Sequence, residues 1–79
     1  MRIINIVTTI GGILTDIESY IIHEEQLSDD VFDVVRERFA ELIRKNNSTL
    51  DDDDIESSVE NCHYENNGYA LNIFHSYGR

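Results

Sequence analysis

Four consecutive aspartates, Asp51 to Asp54, are the side chains of this sequence with the clearest capacity to bind a cation. Calcium prefers oxygen ligands, and an EF-hand loop spaces them so that position 6 is a glycine and position 12 a glutamate. In a loop that begins at Asp51, these positions hold Glu56 and Cys62, and a shift by one residue does not restore the pattern. We therefore predict that the four aspartates form the solvated start of a helix and not a calcium site.

The other reactive side chains lack the spacing of a catalytic or metal-binding motif. Cys62 and His63 resemble half of a zinc site, but they are adjacent and the chain has no second cysteine. His75 has no identifiable partner for proton transfer. Glu24 and Glu25 are explained more simply as part of a solvated loop than as a general-acid pair. We expect no catalytic residue, no metal and no cofactor, and a protein that is not an enzyme.

Charge is the feature that most restricts the partners of this chain. Sixteen acidic residues stand against six basic ones, which gives a formal net charge of −10 and a pI near 4.4. Residues 16–35 and residues 46–78 contain no lysine or arginine. A field of one sign repels nucleic acid and attracts basic surfaces, so the partner we expect is a basic protein surface and not nucleic acid itself.

The basic side chains gather in the second half of a predicted helix, where they are interleaved with two glutamates. The cluster comprises Arg36, Glu37, Arg38, Glu41, Arg44 and Lys45. Charges three or four residues apart meet on the surface of a helix. Intrahelical ion pairs therefore explain this cluster better than a nucleic-acid site does.

The first third of the chain predicts a β-hairpin. Two runs rich in β-branched residues, 3–10 and 13–22, flank Gly11 and Gly12, which suit a two-residue turn with positive φ. Pairing Ile10 with Ile13 across this turn places Ile6 opposite Ile17. The face that this register predicts as core comprises Ile4, Ile6, Ile10, Ile13, Ile17 and Ile21.

The rest of the chain predicts two helices and a final strand. A helix from Ser28 to about Lys45 has Ser28 as N-cap and an apolar stripe of Phe32, Val35, Phe39, Leu42 and Ile43. Residues 51–61 are compatible with a strand or a short helix, and the spacing of Ile55, Val59 and Cys62 favours the helix.

Residues 69–77 alternate as a strand that 63–65 could join. The predicted fold is one α+β domain spanning residues 1–79. It has a small antiparallel sheet, made of the N-terminal hairpin and the C-terminal strand, with two helices on one face in the order ββααβ.

This arrangement leaves the other face of the sheet apolar. The side chains predicted there are Ile3, Val7, Tyr20, Ile22 and Phe74. Because exposed apolar patches of this kind mark interfaces, we expect a homodimer built on these five residues.

In length, acidity and lack of catalytic residues, the whole chain resembles the small inhibitor proteins encoded by bacteriophages, such as anti-CRISPR proteins and inhibitors of restriction or repair enzymes. The resemblance implies an inhibitor that engages a basic surface of a host nucleic-acid-binding enzyme, with nucleic-acid mimicry as one way to do so. The carboxylates expected at that contact are Asp51, Asp52, Asp53, Asp54, Glu56 and Glu60, with a second patch of Glu24, Glu25, Asp29, Asp30 and Asp33.

Two other interpretations remain open at the level of sequence. The acidity can serve solubility alone, since a small domain with a thin core needs charge. Alternatively, the chain is a small homo-oligomeric structural or assembly protein without a nucleic-acid-related target. A single cysteine, no signal peptide and no long apolar stretch predict a cytoplasmic protein without membrane contact, in the host cytoplasm if it is phage-encoded.

Overall fold

The computed structural model describes residues 1–23 and 28–77. The elements follow in the order β1 (Arg2–Ile10), β2 (Ile13–Ile22), α1 (Ser28–Asn46), α2 (Asp52–Asn61), β3 (His63–Asn66) and β4 (Tyr69–Tyr77). The four strands form one antiparallel sheet of order β2-β1-β4-β3. This confirms the α+β prediction, with β3 as one short strand more than the order ββααβ.

Two tight turns close the two hairpins of this sheet. Gly11 and Gly12 have φ angles of 59° and 81°, and Asn67 and Gly68 have φ angles of 49° and 85°. Positive φ at both central residues matches the right-handed twist of the flanking strands, and glycine and asparagine adopt it at the lowest cost. The two turns also meet, because the Gly11 amide donates a 2.9 Å hydrogen bond to the Gly68 carbonyl.

A β-bulge at Thr15 changes the predicted register of the first hairpin. Thr9 pairs with Leu14 and Thr8 with Asp16, so Thr15 has no partner residue on β1. Its hydroxyl donates instead to the Thr8 carbonyl at 3.2 Å. One inserted residue reverses the face of every side chain that follows it, so the register without a bulge is wrong beyond Leu14.

The bulge corrects both the predicted core and the predicted interface. Ile17 and Ile21 face away from the helices and are about half exposed, whereas Ile22 is buried and Tyr20 packs against the core. Tyr20 and Ile22 therefore do not belong to the outer apolar face. Ile10 and Ile13, next to the turn, are exposed as well and are not part of the core.

Helix α1 packs its apolar stripe on the sheet as its sequence predicts. Val35, Phe39 and Ile43 are buried, and Phe32 and Leu42 lie partly buried beside them. The helix has acidic residues in its first turn and basic residues in its last turn. Charges in this order interact favourably with the helix dipole at both ends.

Helix α2 confirms the helical interpretation of residues 51–61. The Asp51 carboxylate accepts a 2.9 Å hydrogen bond from the Asp54 amide and caps the first turn. Ile55 is the buried anchor of the helix. The helix ends at Cys62, which takes the left-handed conformation with a φ of 56°, and its amide bonds back to carbonyls of the last turn.

The core lies between the helices and one face of the sheet. Its buried side chains are Ile4, Ile6, Ile22, Val35, Phe39, Ile43, Ile55, Tyr64 and Leu71. We call the opposite face, which the helices do not cover, the outer face. The strand registers place there Ile3, Asn5, Val7, Ile17, Ser19, Ile21, Asn72, Phe74 and Ser76. Within residues 1–23 and 28–77, no helix combines the length and apolar character that crossing a bilayer requires.

Candidate acidic binding surface

Two basic side chains of α1 are engaged by carboxylates of the same helix. Arg36 binds Asp33 at 2.8 Å, and Lys45 lies 3.4 Å from Glu41. These spacings of three and four residues are those at which helical side chains meet. The intrahelical pairs predicted for the basic cluster are therefore present for these two residues, and also for Arg38, whose Nη1 lies 2.9 Å from Glu41.

The other two basic side chains of α1 reach carboxylates on different elements. Arg38 binds Glu18 of β2 at 2.9 Å, and Arg44 lies 3.8 Å from Asp52 of α2. The hydrogen bond to Glu18 is the main cause that raises the pKa of Arg38 above its ordinary value. All four cations of α1 thus have a carboxylate within reach, and none of them presents an uncompensated positive charge.

The acidic start of α2 is fully on the surface. Asp51 to Asp54 are all exposed, and the side chain of Asp52 retains 93% of its accessible area. Asp52, Glu56 and Glu60 recur every four residues and so share one side of the helix. Residues at this spacing rise about 6 Å from one to the next, which makes a row of three carboxylates along α2.

An open groove separates this row from a second pair of glutamates on α1. Its volume is about 650 Å³, and its lining residues are Arg36, Glu37, Ala40, Glu41, Arg44, Asp52, Ile55, Glu56 and Val59. We call the part with Glu37 and Glu41 on one wall and Asp52 and Glu56 on the other the acidic groove. Its apolar lining comes from Ala40, Ile55 and Val59.

The second predicted patch lies at the opposite end of the helix layer. Asp29, Asp30 and Asp33 stand in the first turns of α1 and are exposed, whereas α2 begins beside Arg44 near the end of α1. The rise along α1 separates the two patches by roughly 20 Å. Glu60 lies between them, since it lines a recess together with Phe32 and Arg36. Glu24 and Glu25, also predicted for this patch, lie outside the described residues.

The structure separates Cys62 from His63 but places Cys62 and His75 in the lining of one recess. Cys62 lines the recess on the helix side, whereas His63 is on the outer face, where its Nδ1 lies 2.7 Å from the Asn72 side chain. His75 packs against Phe32 with 5.8 Å between ring centroids. Within the described part of the chain, no three histidine, cysteine, aspartate or glutamate side chains gather as metal ligands.

Glu37 and Glu41 are the members of the acidic groove that sequence analysis missed as binding residues. Their alternation with arginine and lysine predicts ion-pair partners of the basic cluster, and Glu41 does bind Lys45 and Arg38. The signal that could have found them is their spacing of four residues on the side of α1 opposite to Phe39 and Ile43. What could not be read from the sequence is that α2 packs beside this side of α1.

Comparison with known proteins gives no relative for this chain. No protein-family model matches it, and no curated protein or solved structure is similar enough to count as a match.

Proposed function

We propose that this chain is a non-enzymatic inhibitor of the phage-encoded type, which binds the basic surface of a nucleic-acid-binding enzyme in the host cytoplasm. The observation that carries the proposal is the acidic groove, where Glu37 and Glu41 face Asp52 and Glu56 across an open cleft. Glu41 and Asp52 already pair with basic side chains of α1. The carboxylates that the cleft offers to a cationic partner are therefore Glu37 on one wall and Glu56 on the other.

The charge of the helix layer supports a basic partner. Residues 28–61 contain eleven acidic and four basic side chains, a net charge of −7, and carboxylates already engage the four cations. A surface potential of one sign accelerates the encounter with a partner of the opposite sign and disfavours partners of the same sign. Association of this kind is fast and weakens as salt is added.

The shape of the groove fits a long basic side chain. The methylene stem of an arginine or lysine can lie on Ala40 and Val59, while its charged head reaches Glu37 or Glu56. A carboxylate can receive the two parallel N–H groups of a guanidinium, which is the same geometry by which arginine binds phosphate. Enzymes that hold nucleic acids present such side chains in their grooves, since most of their contacts are to the phosphate backbone.

The row on α2 resembles one strand of a nucleic acid in charge but is less dense. The row of Asp52, Glu56 and Glu60 has one carboxylate per about 6 Å along a length of about 12 Å. A DNA strand has one phosphate per about 3.4 Å of helix axis. Glu37 and Glu41 on the other wall add negative charge across the groove. The two walls together provide the charge that a basic groove would otherwise take from phosphates.

Capture from a bacterial lysate, followed by competition with DNA, tests the proposal. The immobilised chain is incubated with lysate at low salt, washed, and then eluted with duplex DNA. We expect the DNA to release nucleic-acid-binding proteins, and the same proteins to be absent when the capture is repeated at high salt. Captured proteins that duplex DNA does not release would contradict the proposal.

A matched pair of variants assigns the binding to the groove. Glu37→Gln with Glu56→Gln removes two charges from facing walls, whereas Asp16→Asn with Glu65→Gln removes two charges from exposed positions on the sheet. We expect the groove variant to lose the DNA-releasable proteins and the sheet variant to retain most of them. Equal loss in both variants would mean that net charge alone governs capture, which is the solubility interpretation.

A further inference from the structure

The outer face of the sheet carries three large apolar side chains that are about half exposed. Ile17, Ile21 and Phe74 retain 50%, 47% and 54% of their accessible area. They adjoin one another through β1, because Val7 pairs with Ile17 and Ile3 with Ile21, while Asn5 pairs with Phe74. Contiguous apolar patches of this kind mark interaction sites on soluble proteins.

The charge distribution indicates what kind of partner this face accepts. Among the described residues whose side chains lie on the outer face, Glu65 on the short strand β3 is the only acid, and there is no lysine or arginine. The acidic groove, by contrast, lies on the opposite side of the molecule. The outer face therefore has no field to attract a basic partner, and its match is another neutral, apolar surface.

We propose that a second copy of this chain covers the outer face, in a two-fold dimer with Asn5 near the axis. Asn5 occupies the middle of the face, with Ile3 and Val7 on either side along β1. Its side-chain oxygen accepts a 2.7 Å hydrogen bond from Ser19, and its amide nitrogen lies 3.5 Å from the Ser76 hydroxyl. An asparagine has two N–H donors and two acceptor lone pairs, so capacity remains to pair with Asn5 of the second copy.

The available area is sufficient for a weak dimer. β1, β2 and β4 are each about 30 Å long and β3 about 13 Å, so at a spacing of about 4.8 Å they make a face on the order of 500 Å². A specific interface buries at least about 1,000 Å² in total, so two such faces reach only the lower limit. A two-fold arrangement uses the same patch on both copies, and it is the commonest symmetry of soluble oligomers.

Repulsion between two acidic chains does not prevent this arrangement. Two sheets packed face to face lie about 10 Å apart, and the acidic helix layers lie outside both sheets. The carboxylates of the two helix layers are thus separated by more than the Debye length of about 8 Å at physiological salt. We expect added salt to strengthen the dimer, which is the opposite of its effect on a basic partner.

Sedimentation of complementary charge variants tests the dimer. Asn5→Asp and Asn5→Lys each place like charges across the axis, and each is expected to weaken self-association at least about tenfold. An equimolar mixture of the two variants is expected to associate again, because the axis then joins opposite charges. Recovery of association in the mixture is expected only if the outer faces of two copies contact each other near Asn5.

Three controls keep the test decisive. Ser57→Asp adds a charge to the exposed side of α2 and is expected to sediment as wild type. Circular dichroism verifies that each variant is folded, and Phe74→Ser, which removes apolar area without adding charge, replaces the Asn5 variants if these unfold. A wild-type chain that is monomeric at about 100 µM, or a mixture that does not reassociate, would overturn the proposal.

Discussion

Arg38 on α1 donates its Nε–H to both carboxylate oxygens of Glu18 on β2, with N–O distances of 2.9 and 3.1 Å. Its Nη1 group also binds Glu41 on the same helix at 2.9 Å. Among residues 1–23 and 28–77, β2 is an edge strand, so this contact fastens the helix layer to one edge of the sheet. In the same part of the chain it is the one ion pair that joins a helix to a strand.

We expect Arg38→Gln to lower stability more than Arg36→Gln. Arg38 and Glu18 are both largely shielded from water, whereas Arg36 and Asp33 are mostly exposed, and exposed pairs contribute little. Urea unfolding of the two variants measures the difference, with Glu18→Gln as a second test of the same contact. Equal midpoints for Arg38→Gln and Arg36→Gln would contradict the structural role of the pair.

The N-cap of α2 predicts that stability depends on which residue replaces Asp51. Asp51→Ala removes the acceptor of the Asp54 amide and is expected to lower the free energy of unfolding by about 1 kcal/mol. Asp51→Asn keeps a capping oxygen and is expected to lower it less. For the same reason the chain with Asp51 to Asp54 all changed to asparagine is expected to remain folded. Thermal melting checks both expectations, and a quadruple variant that is unfolded at room temperature would show that these charges are needed for folding.

The bulge at Thr15 predicts that this residue can be deleted. Because Leu14 already pairs with Thr9 and Asp16 with Thr8, the deletion leaves every later side chain on its present face. We expect the shortened chain to fold, with a free energy of unfolding about 1 kcal/mol lower because the hydrogen bond of the Thr15 hydroxyl is absent. Deletion of Ser19 is the control, since it moves Tyr20 and Ile22 to the wrong face. Unfolding by both deletions to the same extent would contradict the bulged register.

Two tyrosines predict a loss of stability in alkali. Burial raises the pKa of Tyr20 and of Tyr69, with smaller contributions from the nearby Glu18 and Tyr64, respectively. The pKa of a tyrosine in the unfolded chain is about 10, and in the folded protein it is higher. The stability that each neutral tyrosine contributes is therefore complete below a pH of about 10, and it is lost as the pH rises through the folded-state pKa. Phenol absorbance in native and urea-unfolded protein measures the shift. Coincident titration curves, or native curves unaltered by Tyr20→Phe and Tyr69→Phe, would contradict it.

Much of the fold follows from local sequence signals. Gly11 and Gly12 define the first turn and Asp51 the start of α2, because each position has a backbone requirement that few residues meet. The stripe through Val35 and Phe39 was equally predictable, since its period of 3.6 residues matches a helix.

The face of β2 could not be predicted, because alternation carries no information on a single inserted residue. Ile17 and Ile21 on one face compete with Tyr20 and Ile22 on the other, and both sets are apolar. The choice between them depends on the bulge at Thr15 and on packing against α1. The acidic groove was hidden for a related reason, since it requires α1 and α2 to lie side by side, and no local pattern specifies how two helices are placed.

Displacement of nucleic acid is the most direct measurement of the proposed function. An enzyme obtained by the lysate capture is loaded with a fluorescently labelled duplex and titrated with this chain at two salt concentrations. We predict that the duplex is released as the chain binds, and that Glu37→Gln with Glu56→Gln requires more protein for the same release. A stable complex that contains enzyme, duplex and this chain together would contradict the account.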